Sequence, residues 1–194
     1  MIRFIGRKIQ FLLIILIIIT ISCSQFNESK SRYFENSTDN MAPTIKNKDR
    51  IACQPEFNLE SNLKKDLKNG DVVVVITPDG NSPKANYNQG KSFVYRIIGM
   101  GGDKVRITDK KIYVNNEIFQ PIPKEIVATQ LLDVKDFKEI TVPQSEYFLL
   151  GDNLADSIDS RFWESKTLKE EQIFCKVTLV KDFLTDQLLP FKSE

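Results

Sequence analysis

The sequence predicts a mainly β domain behind an N-terminal membrane anchor, and three observations carry that prediction. The first residues are basic and then unbroken apolar. Short β-branched runs follow, punctuated by turn-forming pairs such as Asn69-Gly70 and Gly101-Gly102. No long stretch carries clean helical spacing of apolar residues. At 194 residues and 41% hydrophobic content, the chain can fill one sizeable core but not two.

Taken in order, Arg3, Arg7 and Lys8 precede an apolar run from Phe11 to Ile19, and no acidic residue occurs before Glu28. This is an export or anchoring signal, with the basic side held inside. As a helix, residues 9–23 would measure about 22 Å, short of the ~30 Å hydrocarbon core. Two outcomes stay open: residues 1–23 remain as a signal anchor, or Ser22-Cys23 is a lipoprotein processing site and Cys23 is lipidated. Thr20 weakens the second, since an aliphatic residue is usual three places before such a cysteine. Both place the rest of the chain outside the cytoplasm of a bacterial cell, tied to the membrane by one N-terminal attachment. Residues 24–37 read as a polar tether, 38–188 as the β domain and 189–194 as a tail. Strands are expected at 50–53, 71–76, 92–98, 104–107, 111–114, 147–150 and 173–180, with short helices at 59–67 and 168–172.

Composition excludes several chemistries. Net charge is +1 with no long block of like charge, so no nucleic-acid footprint is present. The chain has no histidine, which removes Ser-His and Cys-His catalysis and imidazole metal sites. No metal or cofactor is called for. Cys53 and Cys175 fall on separate expected strands, either as buried thiols or as a disulfide.

Four stretches, in order and spacing, resemble the type I signal peptidases, membrane-anchored serine endopeptidases that remove signal peptides from exported proteins. Thr38-Asp39-Asn40-Met41-Ala42-Pro43-Thr44 resembles the family's Ser-x-Ser-Met-x-Pro-Thr box, and Gly70-Asp71-Val72-Val73-Val74 a following strand. Tyr95-Arg96-Ile97-Ile98-Gly99-Met100-Gly101-Gly102-Asp103 resembles Lys-Arg-x-x-Gly-x-Pro-Gly-Asp, with Gly101 for proline. Residues 151–161, GDNLADSIDSR, resemble Gly-Asp-Asn-Arg-x-x-Ser-x-Asp-Ser-Arg, with Leu154 for the first arginine. The resemblance implies a signal-peptidase-like coiled β-sheet domain.

It also implies what is missing. In the family, a serine before the methionine attacks the scissile carbonyl and a desolvated neutral lysine takes its proton. Here those positions hold Asn40 and Tyr95. An amide lacks a suitable nucleophilic lone pair, and a phenol of pKa ~10 is about 0.1% ionised at neutral pH. Lys91, four positions before Tyr95, lies about 13 Å away along a strand. Arg96 points to the opposite face and stays protonated. The remaining positions carried over are Thr38, in the place of an outer serine that helps hold the oxyanion, then Met41 and Pro43 in the same box. Ser157 would orient the lysine, and Asp159 with Arg161 reads as a charge-assisted clamp. These residues predict a catalytically degenerate relative that retains a groove for an extended signal peptide, with the bilayer, signal peptides or an active signal peptidase as partners. Two rivals stay open: an active serine endopeptidase using an unforeseen arrangement, and a structural surface lipoprotein.

Overall fold

β-Branched residues on both faces of the central strands decide the architecture. A computed structural model of the protein describes residues 32–53, 67–76, 92–109, 111–120, 136–185 and 187–190. Its strands are β1 (Arg32–Glu35), β2 (Arg50–Cys53), β3 (Val72–Ile76), β4 (Ser92–Met100), β5 (Lys104–Thr108), β6 (Lys111–Val114) and β7 (Glu117–Ile118). They continue as β8 (Phe137–Thr141), β9 (Glu146–Leu150), β10 (Leu168–Lys169), β11 (Ile173–Lys181) and β12 (Leu188–Pro190), with a 3-10 turn at Glu170–Gln172. Among the described residues these form two antiparallel sheets. One runs β1-β2-β11-β3-β4-β9-β10 with β12 also on β11, and the other runs β7-β6-β5-β8.

The curl of the larger sheet comes from its two nine-residue strands. β11 pairs with β3 through Ile173–Lys176 and then with β2 through Val177–Lys181. β4 pairs with β3 through Ser92–Arg96 and with β9 from Arg96 onward. Each long strand thus passes from one neighbour to the next, and irregularities within these pairings, at Ile173/Cys175 and Val177/Leu179 in β11 and Ile97/Gly99 in β4, sharpen the twist. Both faces are buried, which is why residues 72–75 read as Val-Val-Val-Val. Val73 and Val75 join Phe93, Tyr95, Ile97, Leu149 and Trp163 on one side, while Val72 and Val74 join Met41, Ile45, Val94 and Cys175 on the other. Each such buried side chain contributes roughly 1.5–3 kcal/mol over leaving it exposed. A third cluster, with Ile98, Val105, Ile107, Phe148 and Leu150, fills the space between the smaller sheet and β9.

The turns follow their residues. Asn115 and Asn116, at φ 52 and 69, make the left-handed pair that a tight β6–β7 hairpin requires. Gly102, at φ 95, closes the turn from β4 into β5.

Several expectations need correction. The end of the presumed tether is strand: Arg32–Glu35 pairs with β2 and Phe34 stacks edge-on against Phe174 at 5.3 Å. The presumed tail contributes Leu189 and Pro190 to β12. Residues 168–172 are a short strand and a 3-10 turn, not an α-helix; Leu168 is drawn into the core beside Tyr147, which leaves room for a single tight turn before β11. Of the two states left open for Cys53 and Cys175, the structure has the disulfide, their Cα atoms 5.6 Å apart, with β2 and β11 side by side. The expected anchor at residues 1–23, Cys23 itself, Lys91 and nearly all of the expected helix at 59–67 lie outside the described residues.

Candidate functional site

The segment linking β1 to β2 is folded by its own polar groups before it reaches any partner. Asn36 N–H donates to the Asp49 carbonyl at 2.8 Å, Lys48 N–H to the Asn36 carbonyl at 2.7 Å, and the Asn36 amide to the carbonyls of Thr38 and Lys46 at 2.8 and 2.9 Å. This closes a loop whose tip presents Asp39-Asn40-Met41. Met41 and Ile45 are fully buried and anchor the loop in the core against Val72, Val74 and Val94. The Met41 sulfur also accepts from the Asp152 N–H at 3.4 Å. Ala42-Pro43 is a cis peptide, and Pro43 sits exposed on the outer side of the loop.

Met41 in its socket sets Asn40 against the middle of the larger sheet. The Asn40 side-chain N–H donates to the Val94 carbonyl at 2.6 Å, and its amide oxygen accepts from the Thr38 hydroxyl. Its main-chain carbonyl accepts from Asn153 N–H at 2.9 Å, and the Asn153 amide donates to the Asp39 carbonyl at 3.0 Å. Next along β4, Tyr95 is 1% exposed. Its hydroxyl donates to the Ile158 carbonyl at 2.8 Å and its ring meets the edge of Trp163 at 5.4 Å. Ser157 lies one residue before that acceptor, 3% exposed, and its hydroxyl has no hydrogen-bond partner among the described residues. Gly151 holds Asn40 and Ser157 close together: a Cβ there would fall 2.3 Å from both the Asn40 carbonyl oxygen and the Ser157 hydroxyl. Asn40, Tyr95 and Ser157 therefore meet in one place from three distant stretches of chain.

Two buried charge pairs frame them. Arg96, on the opposite face of β4 from Tyr95, bonds Asp152 twice, at 2.7 and 2.6 Å, and gives a third hydrogen bond to the Gly70 carbonyl at 2.7 Å. Asp159 accepts Arg161 through both carboxylate oxygens at 2.8 Å and also takes the Gly151 N–H at 3.1 Å. Ser160 accepts the Leu149 N–H at 2.9 Å, tying the same loop to β9. Residues 151–161 are thus fixed to β4, to β9 and to the Asn40 loop at once. Among the described residues no group of acidic and cysteine side chains could hold a metal ion.

The family profile described as "Signal peptidase, peptidase S26" matches residues 5–181. The chain belongs to that family. Among the S26 relatives it resembles, signal peptidase I U of Bacillus subtilis (strain 168) is 30% identical over 126 residues, 62% of this chain and 60% of its own length. Probable signal peptidase I-2 of Synechocystis sp. is 29% identical over 136 residues, 70% of this chain and 56% of its own length. A solved signal peptidase I of Enterococcus faecalis V583 is 22% identical, with a TM-score of 0.43 over 56% of this chain and 94% of that chain. The aligned segment therefore spans 56% to 60% of the length of the two curated relatives.

For this S26 family member, the chemistry at the meeting point is legible from donors and acceptors. The Asn40 amide uses its nitrogen to donate and its oxygen to accept, and the Tyr95 hydroxyl spends its proton on a carbonyl. The sequence reading placed Arg96 on the opposite face but did not pair it with Asp152, and it gave no role to Gly151, Trp163 or Ser160. The available signal was the run Gly-Asp-Asn at 151–153, whose aspartate needed a buried cation.

Proposed function

We propose that this protein is an S26 family member that holds an extended signal peptide without cleaving it, with Asn40 and Tyr95 at the family's nucleophile and base positions. Acyl transfer needs an oxygen or sulfur nucleophile and an acceptor for its proton. The observation that carries the reading is the hydrogen bonding of this pair. Asn40 is held with its amide nitrogen toward the Val94 carbonyl, and Tyr95 donates to the Ile158 carbonyl while buried beneath Trp163. Neither arrangement offers a nucleophile or a base.

On this reading residues 1–23 attach the chain to the bacterial membrane, by an anchoring helix or through a lipid on Cys23, and the β domain lies on the outer side. The Cys53–Cys175 disulfide supports an oxidising compartment. Thr38 would shape one wall of the groove, on a loop that Met41 anchors from the core and Pro43 caps on its outer side, and Ser157, Asp159 and Arg161 the other, with Arg96 behind. The partners are the bilayer and either the signal peptides of exported proteins or an active signal peptidase.

The test is turnover of a pre-protein by the full chain in detergent, beside an active relative. No cleavage is expected from the unaltered chain, nor from Asn40→Ser or Tyr95→Lys alone, because a serine without a base stays protonated and a lysine without a nucleophile activates nothing. Cleavage by the unaltered chain that Asn40→Ala abolishes overturns the proposal.

A further inference from the structure

β4 has an edge that β9 does not cover. In antiparallel strands the N–H and C=O of successive residues point alternately to the two neighbours. Ile97 exchanges hydrogen bonds with Asp71 and Gly70 at 2.8 and 2.7 Å, so its polar backbone faces the β3 side. Val94 and Arg96 therefore face the β9 side. Arg96 meets Leu150 there, and no β9 residue pairs with β4 before that point. Past Leu150 the chain turns away into the 151–153 loop. Residue 40 stands in the slot so formed, with its amide donating to the Val94 carbonyl and its own carbonyl accepting from Asn153 N–H.

We infer that Asn40 is a gate on this strand edge: its side chain occupies the Val94 carbonyl that an incoming extended peptide must use, and an extended peptide binds only as that amide withdraws. The inference rests on the peptide-holding reading above and adds how the same slot is regulated. An added strand draws its affinity from backbone hydrogen bonds to the edge it joins. A side-chain donor already sitting on one edge acceptor competes directly with the peptide N–H. Thr38 sets the strength of the competition, because its hydroxyl bonds the Asn40 amide oxygen and thereby keeps the nitrogen turned toward Val94. Asn40 acts here by occupying a position and is not a catalytic residue.

The sign of this effect separates a gate from a contact that helps binding. The probe is a synthetic extended peptide ending in Ala-Ser-Ala, titrated calorimetrically into the full chain in detergent micelles. Asn40→Ala is expected to bind about fivefold tighter than the unaltered chain, the worth of one released hydrogen bond. Thr38→Val is expected to shift binding the same way by a smaller factor. Measurable binding by the unaltered chain with equal or weaker binding by Asn40→Ala overturns the gate and leaves the peptide-holding reading standing. No binding by any of the three chains overturns both. Should Asn40→Ala fail to fold, the unaltered chain still decides: the Asn40 side-chain amide protons should exchange slowly by NMR when free and quickly with peptide bound. Slow exchange in both states overturns the gate.

Discussion

Arg96 and Ser157 are both buried polar side chains beside the same loop, yet their surroundings treat them in opposite ways. The Arg96 guanidinium, with a side chain 4% exposed, has two carboxylate oxygens and a carbonyl within 2.7 Å. The Ser157 hydroxyl, equally enclosed, has no partner among the described residues. A buried charge cannot be left unpaired without a cost of several kcal/mol, whereas an orphaned hydroxyl costs only about 1–3. The frame of the site is therefore bound by a constraint that its centre escapes. Drift at the centre is tolerable for the fold, and drift in the frame is not.

The largest expected effect breaks the frame. Asp152→Ala leaves Arg96 buried without its carboxylate, and urea unfolding should show a loss of about 3–5 kcal/mol. A loss under 1 kcal/mol would show that water reaches Arg96 and that the contrast is false. Gly151→Ala strikes where frame and centre touch. Its Cβ would overlap the Asn40 carbonyl and the Ser157 hydroxyl, so the backbone must yield, and the cost should be about 1–3 kcal/mol in the same assay.

A smaller effect belongs to Asp103, at the β4–β5 turn. Burial pushes its carboxyl up, but donors from Asn69, the Met100 N–H and Asn115, at 2.9, 2.9 and 2.8 Å, outweigh that and hold it below its ordinary value. A carboxyl lowered in the fold adds stability above its unfolded pKa of ~3.9, and that stability is lost as pH falls through the folded value. Asp103→Asn should therefore melt with a flatter pH dependence below pH ~4 and show no added pH dependence near neutrality. The smallest effect sharpens the comparison from the other side. Ser157→Ala removes a hydroxyl that has no partner among the described residues, so stability should stay within about 0.5 kcal/mol or rise slightly. A loss of 2 kcal/mol would reveal a partner for that hydroxyl and place Ser157 with the frame.

The strands with β-branched cores were readable: residues 72–75, 93–98, 105–107 and 173–180 announce themselves by composition alone. What escaped were the strands whose pairing, not their residues, makes them strands. Arg32–Glu35 offers only Tyr33 and Phe34 in a polar run, and Phe137–Thr141 is mostly exposed on the edge of the smaller sheet. Neither shows a period long enough to detect. At the site, the residue types at positions 40, 95 and 157 could be read from the motifs. Their hydrogen bonds could not: Asn40 and Tyr95 donate to the main-chain carbonyls of Val94 and Ile158, whose positions depend on the fold, and Ser157 has no partner among the described residues. The Cys53–Cys175 link likewise depends on β11 bending from β3 to β2, a handover that no local pattern encodes.

Trp163 is the only tryptophan in the chain. It is 3% exposed and stands edge-on to the Tyr95 ring, 5.4 Å away and at 85°. The molecule therefore carries its own optical reporter at the floor of the site. Near-ultraviolet excitation selective for indole reads that single contact free of any second tryptophan signal. Emission should be blue-shifted and poorly quenched by acrylamide in the resting chain, and it should change with any event that lifts the 157–163 loop from β4.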